Sequence, residues 1–233
     1  MQQPKNAFVL AAGKGTRMRP LTNNCPKPLL EVAGRSMLDR NLDALVAAGV
    51  EKCVVNVSYL ADMVIDHLQD EKRMEIIISR EEELLETGGG VKKEIHHFGD
   101  DPFYVMNSDV FWTDAQTPAL DHMAQVWNSD KMDMLLMLYP ISKLPASTPS
   151  DYKYYEDGQI KLNRTDGAHA FMGPRIVHPR IFDAFEPGFF SFLDVFNHAE
   201  ANDRLYGMVH DGDWYHCGTP EDLAAADAKL TGK

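Results

Sequence analysis

Apolar residues in the first half of the chain fall into short unbroken runs separated by amphipathic stretches. Ala7-Phe8-Val9-Leu10-Ala11-Ala12 reads, with Asn6, as a strand over residues 6–12. Cys53-Val54-Val55-Asn56-Val57, Glu75-Ile76-Ile77-Ile78-Ser79 and Phe103-Tyr104-Val105-Met106 are three more runs of strand length. Ser36 is placed to cap a helix through Ala48, with Leu38, Leu42, Leu45 and Val46 on one stripe and Gly49 as its stop. Residues 60–68 read as a second helix, and Thr87 is expected to cap a third that runs to about His97. This alternation predicts an α/β fold whose parallel sheet carries helices on both faces. Ligands of such sheets lie beyond the carboxyl ends of the strands. Three polar clusters stand there: residues 13–27, 80–88 and 107–109.

The second half is less regular. Residues 118–128 look helical and 132–139 form a strong apolar strand, followed by a loop over 140–151 with three prolines. Residues 152–155 and 159–162 flank Glu156-Asp157-Gly158 in a hairpin pattern. A strand over 168–177, a helix over 190–201, a strand over 205–210 and a helix over 220–230 complete the order. No internal repeat or low-complexity linker divides it. The expectation is one domain over 1–233 built on a Rossmann-like, mixed but mostly parallel sheet.

Charge narrows the function. The formal net charge is −12, whereas a duplex-binding protein needs a basic face, so no nucleic-acid partner is expected. No apolar run reaches the ~20 residues of a membrane span, and the polar start, Met1-Gln2-Gln3-Pro4-Lys5-Asn6, has no signal-peptide core. Cys25, Cys53 and Cys217 are odd in number, without metal-type spacing, and read as free thiols of a reducing compartment. A cytoplasmic enzyme without a membrane partner is the resulting expectation.

The stretch after the first strand is the chemical centre of the sequence. Gly13 and Gly15 permit close backbone approach and positive φ, and the N–H groups of such a turn form an anion nest. Lys14, Arg17, Arg19 and Lys27 surround it. A dinucleotide fingerprint would need a third glycine where Met18 stands, and a Walker A loop does not occur. What residues 11–22 and 26–28 do fill, position by position, is A-A-G-x-G-T-R-x-x-P-L-T followed by P-K-P. On these residues the chain resembles the nucleoside-triphosphate:sugar-1-phosphate nucleotidyltransferases. Glu86-Thr87-Gly88-Gly89-Gly90, Asn107-Ser108-Asp109 and Trp214-Tyr215-His216-Cys217-Gly218-Thr219 extend the resemblance. The 85–90 form and the compact length are most similar to N-acetylmuramate-1-phosphate uridylyltransferases, with mannose-1-phosphate guanylyltransferases and other hexose-1-phosphate nucleotidyltransferases as the nearest alternative. A nucleotide-binding regulatory protein without catalysis is the alternative from another class.

The resemblance implies that a sugar-1-phosphate oxygen attacks the α-phosphorus of a nucleoside triphosphate, UTP favoured, and expels pyrophosphate. The product is a nucleotide sugar for cell-wall or polysaccharide synthesis or peptidoglycan recycling. It also implies a nucleotide-binding half over 6–110 and a sugar-phosphate-binding half over 111–233. Ala11, Ala12, Gly13, Gly15, Thr16, Arg17 and Gly88 would bind the nucleotide. Arg17 and Lys27 would be catalytic; Lys27, Glu86 and Gly173 would meet the sugar phosphate; Asp109 would hold Mg²⁺, with Mn²⁺ as a substitute. Two departures stand out. Asn163-Arg164-Thr165 replaces the E-K-P triplet of hexose-type relatives, and His216 replaces the second metal-binding aspartate. In a regular strand residues 212, 214 and 216 share one face while Asp211 and Asp213 point the opposite way, so Asp213 cannot take over without a bulge. His216 reads either as a hydrogen-bond donor or occasional ligand beside the metal, or as a residue packed on Trp214. The pair His96-His97 is not at i, i+4 spacing, shows no partner carboxylate motif and reads as an exposed helix end.

Overall fold

Alternation along the first strand divides the interior. A computed structural model describes residues 3–146 and 148–232. In strand β1 (Asn6–Leu10) Ala7 and Val9 enter one apolar core and Phe8 enters another, on the opposite face of the sheet. The elements that follow are β2 (Glu31–Val32), β3 (Arg35–Ser36), α1 (Met37–Ala47), β4 (Lys52–Val57), α2 (Ala61–Leu68), β5 (Glu75–Arg80), α3 (Glu86–Lys93), β6 (Phe103–Asn107) and β7 (Val110–Thr113). Then come α4 (Ala119–Val126), β8 (Met134–Pro140), β9 (Tyr152–Tyr154), β10 (Ile160–Leu162), β11 (His169–Val177), α5 (Phe192–Ala201), β12 (Leu205–Val209), β13 (Asp213–His216) and α6 (Pro220–Thr231).

The central sheet has nine strands. Strands β12, β8, β6, β1, β4 and β5 run one way, and β11, inserted between β8 and β6, runs against them. The sheet is therefore mixed and mostly parallel, as the alternation predicts, and it continues from the first half of the sequence into the second through the β6–β11 pair. Leu38, Leu42 and Leu45 of α1, Val64 of α2, and Leu120 and Met123 of α4 cover one face. Val91 of α3 and Phe192, Val195 and Phe196 of α5 cover the other. No helix among the described residues is long and apolar enough to cross a membrane.

Several boundaries differ from the sequence reading for local reasons. Strand β1 ends at Leu10 rather than at residue 12, because the Ala11 N–H leaves the ladder to donate to Asn56 Oδ1 at 2.7 Å. Ser36 caps α1 as expected, accepting from the Asp39 N–H at 3.0 Å. Thr87 does not cap α3. The helix starts at Glu86, two residues earlier than a Thr87 cap would place it, and the Thr87 hydroxyl accepts instead from the Phe192 N–H at 2.9 Å, tying α3 to the start of α5. Helix α3 also stops at Lys93, and a 3₁₀ turn carries residues 95–97. Periodicity did not single out β2, β3 or β7. Strand β7 leaves the carboxyl end of β6 after a two-residue turn and pairs antiparallel with β13, in register His216↔Val110. That small sheet brings the end of the chain back to residues 107–109.

The three glycines of α3 explain themselves by contact. A Cβ on Gly88 would meet the Phe190 ring at 2.6 Å, one on Gly89 the Gly188 carbonyl oxygen at 2.0 Å, and one on Gly90 the Glu81 carboxylate at 2.6 Å. The helix can lie against residues 188–191 and over Glu81 only because it has no side chains on that face. Gly89→Ala is therefore expected to destabilise the protein by about 1–3 kcal/mol, the usual cost of overpacking. Equilibrium denaturation would measure it; a midpoint equal to wild type would show that the 188–191 segment yields freely.

Candidate active site

The polar clusters at the strand ends converge on one cleft of about 470 Å³ at the carboxyl ends of β1, β4, β5 and β6. Its lining includes Ala11, Ala12, Gly13, Gly15, Thr16, Arg17, Lys27, Glu86 and Asp109. Gly88 and Gly173 do not reach the surface of the cleft. Gly88 stands behind Glu86 and Thr87 and donates its N–H to the Phe190 carbonyl at 3.1 Å. Gly173 supports the wall from behind, its φ of +113° bringing the backbone close against Asn107 and Val110.

One side of the cleft is the loop after β1. Gly15 has φ 59° and ψ 34°, and a Cβ there would press on Thr22 Cγ2 at 3.0 Å and Lys27 Cβ at 3.1 Å. The Thr22 hydroxyl donates to the Gly15 carbonyl at 2.8 Å, and buried Met18 anchors the following turn. Among the described residues, no N–H of residues 12–17 is spent on an acceptor within the protein. These are the donors of an anion nest. Arg17 is exposed on the cleft. The arginine ion pairs of the described residues belong to Arg35, Arg73, Arg80, Arg180 and Arg204, which leaves its planar fork free.

On the floor, Lys27 is 9 % exposed, and its Nζ lies 2.8 Å from Asp109 Oδ2. Lys27 arrives on a 3₁₀ turn (Lys27–Leu29), and Asp109 from the turn between β6 and β7. The Ser108 hydroxyl donates to the Leu10 carbonyl at 2.6 Å, fixing that turn to the end of β1. From the other side the Cys217 N–H donates to the Asp109 carbonyl at 2.9 Å. His216 Nε2 is 3.8 Å from Asp109 Oδ2, and its ring stacks with Trp214 at 6.0 Å between centroids. The ring thus packs on Trp214, as one reading has it, and stands beside Asp109 without a hydrogen bond to it. Strand parity holds as well: Asp213 turns the other way and pairs with Lys229 at 3.1 Å. Burial pushes the Cys217 thiol up to about 11, outweighing the pull of Lys27.

Sequence reasoning missed Asn56 and Glu81. Both are buried and both line the cleft. Asn56 accepts from the Ala11 N–H and donates through Nδ2 to Glu81 Oε1 at 2.8 Å, and Glu81 Oε2 accepts from the Leu85 N–H at 3.1 Å. This polar bridge ties the loop after β1 to the loop after β5. The available signals were an amide interrupting an apolar strand at its carboxyl end, and the first acid of a run that otherwise reads as solvated. Glu86, also at the cleft, has φ 63°, a sparsely populated conformation for a side chain of its size. The pair His96-His97 does have a carboxylate neighbour, contrary to the sequence reading: Glu94 Oε2 lies 3.4 Å from His97 Nε2. Ser79 at 2.7 Å and Lys93 at 3.3 Å also meet that carboxylate, so the group is a satisfied network at the end of α3.

Comparison with known proteins gives consistent matches. The model of the nucleotidyl transferase family matches residues 6–146. The N-acetylmuramate alpha-1-phosphate uridylyltransferase of Caulobacter vibrioides is 40 % identical over 245 residues, covering 98 % of each chain. The enzyme of the same name from Neisseria meningitidis serogroup B is 33 % identical over 228 residues, covering 95 % of this chain and 96 % of its own. Among solved structures, a UDP-glucose pyrophosphorylase complexed with UDP-glucose superposes with a TM-score of 0.82 at 17 % identity, covering 98 % of this chain and 99 % of that one. At that identity the likeness speaks for the fold.

The Asn56 bridge has a measurable consequence. Asn56→Ala leaves a buried carboxylate oxygen and a buried N–H without partners, at an expected cost of about 1–3 kcal/mol. Denaturant titration should show that loss. An unchanged midpoint would mean that water replaces the amide and that the bridge holds nothing.

Proposed function

The chain belongs to the nucleotidyl transferase family, and we propose that as a sugar-1-phosphate nucleotidyltransferase it joins UTP to N-acetylmuramate 1-phosphate and releases pyrophosphate. The observation that carries the chemistry is the cleft itself. A nest of unspent N–H groups, a free arginine fork and a buried lysine face one space beyond the strand ends. The choice of uridylyl donor and muramate acceptor rests on the likeness to the two uridylyltransferases along nearly the whole chain.

The reaction makes one P–O bond and breaks another. An oxygen of the sugar phosphate attacks the α-phosphorus, and the bridging oxygen to the β-phosphorus leaves with pyrophosphate. The attacking oxygen needs no base, since the second pKa of a phosphate monoester is about 6. The obstacle is repulsion between two polyanions and the charge that grows on the leaving group, so rate comes from positioning and fixed positive charge. Residues 12–17 wrap the triphosphate with backbone N–H groups. Arg17 bridges α- and β-phosphate oxygens through its fork. Lys27 exchanges its bond with Asp109 for the α-phosphate and the incoming sugar phosphate. Glu86, at the mouth, takes part in the acceptor side.

A divalent metal suits the residues present. Mg²⁺ takes oxygen ligands and is commonly held by one or two carboxylates plus substrate phosphates, and Asp109 offers one partly exposed carboxylate on the cleft. His216 adds an imidazole beside it, a poor ligand for Mg²⁺ and a better one for softer ions. Asp109 would hold the ion, with His216 alongside, and when bound it would neutralise phosphate charge.

Pyrophosphate release from four nucleoside triphosphates against muramic, glucosamine, mannose and glucose 1-phosphates tests the reading. Turnover should be greatest with UTP and the muramate substrate. Turnover only with GTP and mannose 1-phosphate would overturn the substrates, and none with Mg²⁺ or Mn²⁺ would overturn the reaction. Arg17→Ala should lower kcat on the order of 10²–10³, the usual effect of losing one transition-state contact, with little loss of nucleotide affinity. Asp109→Ala should be inactive and His216→Ala reduced. An active Asp109→Ala beside an inactive His216→Ala would reverse the metal assignment.

A further inference from the structure

Arg175 is the largest of the fully buried side chains, 1 % exposed, and no carboxylate meets it among the described residues. Its guanidinium carbon lies 4.0 Å from the centre of the Phe192 ring and 5.6 and 5.7 Å from those of Phe171 and Phe196. Nε has no hydrogen-bond partner, while Nη1 donates to Asn107 Oδ1 at 2.8 Å and to the Gly173 carbonyl at 2.7 Å. Desolvation lowers the pKa of the group to about 9, a measure of how poorly the site accommodates its charge. A buried ion with no counter-ion is costly, and an apolar side chain of similar volume would sit better among three phenylalanine rings. The ring faces attract the cation, but packing on them does not account for a guanidinium whose hydrogen bonds run from Nη1 to one amide and one carbonyl.

The reason lies in what Nη1 holds. Asn107 is the last residue of β6, lines the cleft, and stands two residues before Asp109. An arginine has only donors, so it must face the amide oxygen, and this settles which way the amide points. The amide nitrogen of Asn107, a donor, is turned away from Arg175. The bulge in β11 makes the arrangement possible. A side chain on Gly173 would meet Val110 at 2.7 Å and Asn107 Cβ at 3.3 Å, so a glycine is needed for this backbone to lie against Asn107 while its carbonyl accepts from the same Nη1 that holds the amide. In the proposed function the triphosphate lies along the loop after β1 and the incoming sugar phosphate meets Lys27. Asn107 stands at the end of β6, two residues before the Asp109 that pairs with Lys27, so its amide is beside the place the sugar phosphate reaches.

We propose that Arg175 is a positioning residue that locks the Asn107 amide with its N–H groups donating to an oxygen of the sugar 1-phosphate. This rests on the nucleotidyltransferase reading of the cleft. The test measures calorimetric affinity for the sugar 1-phosphate and for UTP, steady-state KM and kcat, and Tm, in wild type, Arg175→Met, Asn107→Ala, Asn107→Asp and the double variant Arg175→Met/Asn107→Ala. Arg175→Met should weaken sugar-phosphate binding about tenfold or more, as the loss of a charge-assisted bond does, and leave UTP affinity unchanged. Asn107→Ala should lose the same factor, and the double variant no more than either. Asn107→Asp gives Arg175 its missing counter-ion, so Tm should rise while sugar-phosphate affinity falls, because an acceptor then faces an acceptor.

Wild-type affinity in Arg175→Met, losses that multiply in the double variant, or wild-type affinity in Asn107→Asp would each overturn the proposal. If Arg175→Met fails to fold, the two Asn107 variants decide it, and normal binding by both would overturn it. Wild type that binds both substrates but releases no pyrophosphate would refute the catalytic reading and leave the role of Arg175 standing; wild type that binds neither would overturn both.

Discussion

Lys27 and Asp109 meet at 2.8 Å, at the point where both substrates of the proposed reaction must come together. The pair solves a problem set by the composition. A chain of net charge −12 has to present positive charge to two polyanions, and it does so by burying one lysine whose counter-ion, Asp109, is itself on the cleft. A lysine out in solvent would be screened over about 10 Å. One at 9 % exposure keeps its field directed into the cleft. In the proposed chemistry the ion pair is the resting form of the site, and phosphate oxygens compete with Asp109 for the same ammonium group.

Much of the fold serves to hold that pair. Lys27 reaches it because Gly15 has no side chain; a Cβ there would come within 3.1 Å of the lysine Cβ. Asp109 is fixed from three directions: Ser108 to the end of β1, the Cys217 N–H just past β13, and the β7–β13 ladder beside it. The flanking loops are tied to each other by the Ala11–Asn56–Glu81–Leu85 bridge, whose groups are buried and mutually satisfied. A network of this kind specifies one arrangement of the two loops, since any other leaves buried polar atoms unpaired. Gly90 belongs to the same construction, because its missing side chain is the space the Glu81 carboxylate occupies.

The sequence made the local features legible and hid those that depend on distant partners. Apolar runs and caps placed β1, β4, β5, β6 and α1 within a residue or two, because their faces are decided by burial on both sides of the sheet. The cleft residues of 11–28 were visible because they share one contiguous stretch. Strands β2, β3 and β7 were not, since two to four residues carry too little periodicity and find their partners only after the sheet has formed. Thr87 followed the pattern of a helix cap, but a hydroxyl near a helix start can serve a different helix, and here it serves α5. Asn56 and Glu81 looked like an irregular strand residue and a solvated acid. Only the parallel register of β4 and β5, which sets Asn56 opposite Ser79 two residues before Glu81, brings them together.

The central claim is that Lys27 is shared between Asp109 and the substrate phosphates. A crystal structure with Mg²⁺ and a UTP analogue carrying a methylene bridge between the α- and β-phosphorus atoms tests it most directly. The account predicts the triphosphate along residues 12–17, Lys27 Nζ in hydrogen-bond contact with an α-phosphate oxygen, and the ion on Asp109. A triphosphate bound in that cleft with Lys27 still on Asp109 would contradict it, and so would one bound anywhere else.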